Sequence, residues 1–519
     1  MGDKRKAIKY EGWPGGLFSI DNKRKATRAH LLTADNVTFD QFGAVSKRPG
    51  IFAYGNYMPA RIIGLIGPIS VSAGFRYLSL ENKLLVQDSP LATIHTYANG
   101  GRGQFLFYGN LYFHTNGRDA SVTWASGAAA AAAALGAPLS RVCHIHNDRV
   151  FVANGTTLYE TAPGTGPSSA VDNFATGASW AIQPDDGDPI FGLGSIDRDL
   201  YVFKGKTIWI QTGYTVNERQ TRVFDDKHGC ISPDSIQTVD LAGAGRAIIF
   251  LDSDRKLCAI YGGGVHEIGE IVQNELDKIF CGVITDDPYP TNYNKHRCVS
   301  AVHPDGMYLL GFAQATGTSP SSFTTCLVVH FKAPYTSDLG TRWPIAKWYD
   351  TGFVTEFDIR FGAMAYFDDL VRKSVAIGQV NMAANNQLFV MENPEISTDL
   401  DAFIAGGPTT YTIQDKIRTI DDDAGDDTIN KNWCEVIVHI SSAADPSIAY
   451  DVVQINDSDS TVLTESRAML TPTANKDYAC AGRLTNSSAR CSIQISMWAG
   501  TGVQKLHSIE VQYLRGSII

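Results

Sequence analysis

Val150-Phe-Val-Ala-Asn-Gly-Thr-Thr-Leu-Tyr-Glu160 and Leu200-Tyr-Val-Phe-Lys-Gly-Lys-Thr-Ile-Trp-Ile210 align without a gap, fifty positions apart. Each copy reads as an apolar strand, a two-residue turn (Asn154-Gly155 in one, Lys204-Gly205 in the other) and a second strand carrying an aromatic residue, Tyr159 or Trp209. Asn-Gly between β-branched and aromatic runs signals a hairpin, because the central residues of a type I′ turn need positive φ and these residue types tolerate it. A hairpin written twice at one period predicts a repeated sheet.

Looser copies lie on both sides. Upstream are Tyr77-Leu-Ser-Leu-Glu-Asn-Lys-Leu-Leu-Val86 and Leu111-Tyr-Phe-His-Thr-Asn-Gly117 with Trp124 beyond; downstream are Ala247 to Ile260, Met307-Tyr-Leu-Leu310 and Asn386-Gln-Leu-Phe-Val-Met391. Spacings of roughly 35 to 60 residues bracket the ~40–50-residue period of propeller blades. One hairpin pair cannot bury its apolar face alone, so radial stacking of small sheets is the expected solution. An irregular β-sandwich is the competing arrangement, since turn signals at short spacing mark sandwiches too.

Composition agrees with a mainly β chain. There are 519 residues, with 48 glycines, 10% aromatic and only 19% charged residues, which suits many strands and turns and allows two or three domains. Residues 1–58, punctuated by Gly and Pro, read as an extended arm that contributes to a platform. Residues 59–404 carry the propeller-like repeats. Residues 405–519 alternate apolar and polar positions, as in Lys431-Asn-Trp-Cys-Glu-Val-Ile-Val-His-Ile440 and Leu506-His-Ser-Ile-Glu-Val-Gln-Tyr513, and read as an antiparallel β-sandwich platform. A short helix is expected through Arg24 to Thr33 and a helical stretch over Val272 to Phe280, with loops at Gly164–Ser169 and Thr316–Ser322.

The formal net charge of −10 argues against a surface that grips nucleic acid over its whole area. The arm is locally basic, with Lys4, Arg5, Lys6, Lys9, Lys23, Arg24, Lys25 and Arg28, and could meet phosphate, an acidic neighbour or solvent. Nine cysteines without CxxC spacing read as buried thiols of a chain made in a reducing cytoplasm. The N-terminus lacks an apolar signal core, and the bland Gly127–Gly136 stretch is far below the ~18 apolar residues that cross a bilayer, so no membrane anchor is expected.

Chemical motifs are incomplete throughout. His144 and His146 of Cys143-His144-Ile145-His146 share a strand face and could reach one ion, but no further ligands of matching spacing accompany them. Asp421-Asp-Asp-Ala-Gly-Asp-Asp427 has Asn432 where a calcium loop needs a bidentate Glu. Gly100-Gly-Arg-Gly103 and Gly262-Gly-Gly264 lack the features of phosphate loops. Asp185, Asp186, Asp188, Asp225, Asp226, Glu267 and Glu270 are carboxylates without a defined pairing, and Asn116-Gly-Arg-Asp-Ala-Ser-Val-Thr-Trp124 departs from the aspartate box of sialidase-type propellers. The expectation is a non-enzyme with no catalytic, cofactor-binding or metal-ligating residues, whose melting a chelator leaves unchanged.

Gly15-Gly-Leu-Phe-Ser-Ile-Asp21, Ala34-Asp-Asn-Val-Thr-Phe-Asp40 and Gly43-Ala-Val-Ser-Lys-Arg-Pro-Gly50 together resemble the opening of tail proteins of short-tailed bacteriophages, the group that includes the nozzle or tail tubular protein B. The resemblance is sharpest over residues 15–50 and architectural elsewhere. It implies a structural virion protein, made in the host cytoplasm and located in the viral tail, in which hexameric rings of β-propeller subunits closed by platform domains sit below the portal and its adaptor ring. The implied partners are further copies of the chain, the adaptor ring, tail fibre or spike proteins and, during genome ejection, transiently passing double-stranded DNA. Gly43 and Gly50 would set sharp turns, Arg48 would pair with a neighbouring subunit or ring, and deleting residues 1–35 would spare the fold but abolish incorporation. A glycan-binding or glycan-cleaving virion propeller and a cytoplasmic β-propeller scaffold are the alternatives.

Overall fold

The computed structural model describes residues 5–20, 26–67, 76–80, 84–87, 91–168, 173–279, 298–313, 323–337, 340–349, 361–368, 373–379, 386–391, 398–404, 407–412, 416–422, 429–442, 449–455, 461–468, 476–484, 487–488, 490–498 and 504–518. The loop expected at Thr316–Ser322, residues 423–427 of the acidic run and the start of the helix expected from Arg24 lie outside these residues.

The fifty-residue repeat is two successive blades. Val142–His146, Arg149–Asn154, Thr157–Glu160 and Ser179–Ala181 form one four-stranded antiparallel sheet; Ile190–Ile196, Asp199–Lys204, Ile208–Thr212 and Gln220–Asp225 form the next. Three more meanders of this kind span residues 62–96, 104–133 and 237–267. A sixth consists of Cys298–His303, Met307–Ala313, Phe323–His330 and Ile345–Tyr349. In the seventh, Phe361–Asp368, Lys373–Gln379 and Asn386–Met391 are completed by Ile51–Met58, with Met391 opposite Ile51. The innermost strands touch in sequence order, and Phe361–Asp368 returns to Ile62–Ile66, so among the described residues seven blades close one ring. The chain is thus a mainly β protein built on a β-propeller. Ile51–Met58, assigned from sequence to the arm, is the strand that fastens the last blade before the chain crosses to the first.

Radial stacking explains the apolar strands. Val150 and Val152 pack with Phe113 of the second blade, while Phe151 and Ala153 pack with Leu200 and Val202 of the fourth. A strand buried on both faces loses polar alternation, so Val150–Ala153 is continuously apolar. The turn position shifts by one residue from its expected place. Asn154 pairs with Thr157, leaving Gly155-Thr156 as the loop, and the positive φ of 58° belongs to Gly155. Tighter type I′ chemistry occurs one hairpin earlier, at Asn147-Asp148, where φ is 47° and 56°.

Both chain ends build the platform, a sandwich of two sheets. One contains Ile429–Ser442, Gln504–Ile518 and Lys476–Arg483, together with Val37–Phe39, Val45–Lys47 and Lys6–Glu11 from the N-terminus. The other continues the sixth blade: Ile345–Tyr349 meets His30–Asp35, followed by Lys416–Thr419, Ser492–Trp498, Ala449–Ile455 and Thr461–Ala468. Trp13, Leu31, Ile417, Trp433, Val438, Ile495 and Ile509 share one core between them. His30–Asp35 is a strand where a helix was expected, because pairing with Lys416–Thr419 and burial of Leu31 and Ala34 outweigh local helix preference. The second helical expectation is met only in part, by a 3-10 turn over Glu270–Val272 and a four-residue α-helix over Gln273–Leu276; Phe280 lies outside the described residues.

Three expectations about the arm are corrected. It is not an appendage: Lys6–Glu11 pairs along Ser508–Tyr513, and Trp13 is fully buried, so removing residues 1–35 strips strands from both platform sheets. Arg48 is buried within its own chain rather than standing exposed for a neighbour, donating from Nε to Asn36 Oδ1 at 3.2 Å and from Nη1 to the Pro49 carbonyl at 3.0 Å. Gly43 does set a sharp turn, with φ of 78°, but Gly50 has no positive φ.

Candidate functional site

The sequence offered no complete site, so the site is built from what the ring brings together. Blade loops converge on the propeller axis in a pocket of about 240 Å³, lined by Arg102, Gln104, His144, Asp234, Gln237 and Ser300, among others. Asp119 prepares one wall. Its carboxylate accepts the backbone N–H groups of Asn99 and Gly100 at 3.0 and 2.7 Å and the Asn116 and Asn99 side-chain amides, which hold its pKa below the usual carboxylate value although burial pushes the other way. The Gly100–Gly103 loop, set down this way, delivers Arg102 to the axis.

There Arg102 Nη1 lies 3.4 Å and Arg141 Nη2 3.6 Å from Asp234 Oδ2, and Arg102 Nη2 donates to the Gly362 carbonyl of the seventh blade at 2.9 Å. Ser300 Oγ donates to the Asp234 carbonyl at 2.6 Å, and Gln237 Nε2 donates to Ser300 Oγ at 3.1 Å. Two guanidinium groups against one carboxylate leave local positive charge in a body of net negative charge. These bonds tie the second, third, fifth, sixth and seventh blades together across the axis. Sequence reading missed this cluster because its members come from five blades, with no spacing to reveal them.

The sequence-derived candidates scatter. His144 lines the axial pocket and is hydrogen bonded through Nε2 to Ser195 Oγ at 3.0 Å. Burial, reinforced by neighbouring His146, lowers its pKa to about 4; burial likewise lowers His146 to about 4. Cys143 packs with Phe113 and Val150 between blades, and burial pushes its thiol pKa far up. Among the described cysteines, 143, 230, 258, 298, 326 and 491 are buried free thiols and Cys434 is half-buried. Asp186 pairs with fully buried Lys204 at 2.6 Å, Glu267 with Lys256 at 3.2 Å and Glu270 with Arg342 at 3.8 Å, so these carboxylates are held by cations. Gly262-Gly263 is a hairpin turn. Asp421 and Asp422 face Arg418 and Arg28.

A second ionic cluster sits between the third and fourth blades. Arg149 and Arg219 both reach Glu160, Arg149 at 3.1 Å, and Arg149 and Glu160 are buried while Arg219 is half-buried; the Arg219 guanidinium lies 4.7 Å from the Trp180 ring centroid and that of Arg149 5.2 Å from Tyr214. It fastens Glu160 of one repeat to the strand-end loop of the next. No described helix is long and apolar enough to cross a membrane.

No family model matches the chain, and no curated protein matches it. Among solved structures it is similar to the Pan2 WD40 domain of Neurospora crassa (10% identity, TM-score 0.37, covering 67% of this chain and 96% of that one). It is also similar to BamB from Moraxella catarrhalis (8% identity, TM-score 0.36, covering 75% and 100%) and to the computationally designed Ika8 protein (10% identity, TM-score 0.36, covering 66% and 100%). The blade assignment itself stands on strand pairing and on the closed order of inner strands.

Proposed function

We propose that the chain is a structural subunit of a short-tailed bacteriophage tail, a nozzle or hub ring carried below the portal adaptor through which the genome is ejected. The observation supporting this reading most directly is the platform. The residues that carry the family resemblance, 15–50, are woven with both ends of the C-terminal region into one sandwich continuous with the sixth blade. A subunit that transmits load between rings needs such continuity, because a blade and a platform sharing a sheet cannot hinge freely.

The axial pocket does not suit a conduit within the subunit itself. At about 240 Å³, lined by Arg102 and by Asp234 with its ion pair to Arg141, it is far too small for a duplex whose major groove alone is about 12 Å wide. DNA would therefore pass between copies, along surfaces that share the chain's net charge of −10 and repel phosphate. Immunogold labelling of purified particles should place the chain at the tail tip, and fluorescence anisotropy should find no sub-micromolar duplex binding at physiological salt. Absence from purified particles would overturn the tail assignment. Tight, salt-sensitive duplex binding would overturn the sliding conduit while leaving the location intact.

A further inference from the structure

Between the fourth and fifth blades, His228, Asp252 and Cys258 present one ligand-type atom each, all within 4.8 Å of one another. They come from three segments: the loop leaving Gln220–Asp225, the turn after Gly245–Leu251, and the strand Leu257–Tyr261. Each is held in place independently. The His228 loop is pinned to neighbouring backbone, with Ser253 N donating to the Gly229 carbonyl at 3.0 Å and Cys230 N to the Lys204 carbonyl at 2.8 Å. Asp252 Oδ1 accepts the N–H groups of Asp254 and Lys256 at 2.9 and 2.7 Å, which fixes its carboxylate. Cys258 is locked into the sheet opposite Glu267 and Phe250.

Two further observations point to a cation. Asp252 is 2% exposed, yet among the described residues it makes no salt bridge with Lys or Arg, and a buried carboxylate without a countercharge is costly. On the other side, His228 Nδ1 lies 2.9 Å from Asp225 Oδ1, which also accepts the backbone N–H groups of Lys227 and His228. A carboxylate on one ring nitrogen is the outer-sphere arrangement that orients metal-binding histidines, and it leaves Nε2 for the ion.

We propose that His228, Asp252 and Cys258 form a divalent transition-metal site, with zinc the best chemical match, that clamps the fourth blade to the fifth. Imidazole, carboxylate and thiolate suit a borderline-soft ion, with a water or outside ligand completing four-coordination. Cys258 releases one proton on binding; the resulting thiolate and the Asp252 carboxylate together neutralise the dication. Metal–ligand bonds of about 2.0–2.3 Å require only small closing movements of the three side chains. The site's solvent access is at His228, whose side chain is 21% exposed.

The test is titration of the full-length, metal-stripped chain with Zn²⁺ and, separately, Co²⁺. One equivalent of Zn²⁺ should bind with proton release and raise the melting temperature, and Co²⁺ should give a thiolate-to-metal charge-transfer band. C258S should abolish that band, H228A should weaken binding at least tenfold, and D225N should weaken it about tenfold through loss of the carboxylate that orients the ring. C434S, at the half-buried thiol in the platform, should change nothing. Because C258S alters a buried position, H228A at the more exposed ligand provides the check independent of folding. Absence of stoichiometric binding by the native chain, or binding indifferent to both H228A and C258S, overturns the site.

Discussion

The third blade and the platform bury comparable apolar strands but assemble them by opposite rules. In the blade, every pairing joins neighbours in sequence, from Val142 opposite Ala153 to Tyr159 opposite Ser179. In the platform, Lys6 lies opposite Tyr513 and Leu31 opposite Thr419. Local pairing makes a blade readable as a repeat and cheap in loop-closure entropy, while the platform needs both ends of the chain before either sheet is complete. Stability in the two regions should therefore respond differently to the same kind of change.

The largest effect is expected from the N-terminus. Removing residues 1–35 should unfold the platform, and Trp13→Ala alone should cost about 3–5 kcal/mol. Hydrogen exchange would then show lost protection over 429–442 while protection over 149–160 persists. Retained protection over 429–442 in the truncated chain would break the contrast between local and non-local assembly.

Acid should come next. Burial lowers the pKa of His114, in the second blade, to about 3, with His95 adding to the effect, and burial lowers that of His330, where the sixth blade meets Phe39, to about 3. Folded-state values below the unfolded value near 6.5 mean that stability is full above that pH and falls as pH drops toward 3. Melting temperatures measured across this window should decline in both regions, and His114→Gln and His330→Gln should each flatten the decline. A slope unchanged in both variants would remove the histidines from the acid response.

The smallest effect sharpens the comparison at two glycines. Gly155→Ala places a Cβ in open space, so only the positive φ of 58° is strained and the cost should be about 1 kcal/mol. Gly43→Ala carries the same kind of strain and also brings the Cβ within 2.7 Å of Pro14 N, so denaturant melts should show a larger loss there. Equal losses at the two sites would mean that the Trp13–Gly43 contact gives way without cost.

The repeats were legible because blade strands keep their apolar runs and aromatic residues at a near-constant period: Tyr77–Val86, Leu111–Thr115, Val150–Glu160, Leu200–Ile210, Ala247–Ile260, Met307–Leu310 and Asn386–Met391 all fall on second or third strands of blades. Turn placement was not legible, since Asn-Gly promotes a turn without specifying which two residues form its loop. The helix expected before Thr33 failed because a short charged segment has no periodicity strong enough to foretell pairing with a strand nearly four hundred residues later.

By itself the sequence determined that this is a β protein of repeated hairpins with a distinct, alternating C-terminal region, because side-chain pattern and turn chemistry act within a few residues. Only the tertiary structure decided that Ile51–Met58 closes the seventh blade, that Arg48 is spent inside its own chain, that Arg102, Arg141 and Asp234 meet on the axis, and that His228, Asp252 and Cys258 converge between two blades. Each of these depends on which sheets stack side by side, and ring closure sets that neighbourhood across distances that local pattern does not encode.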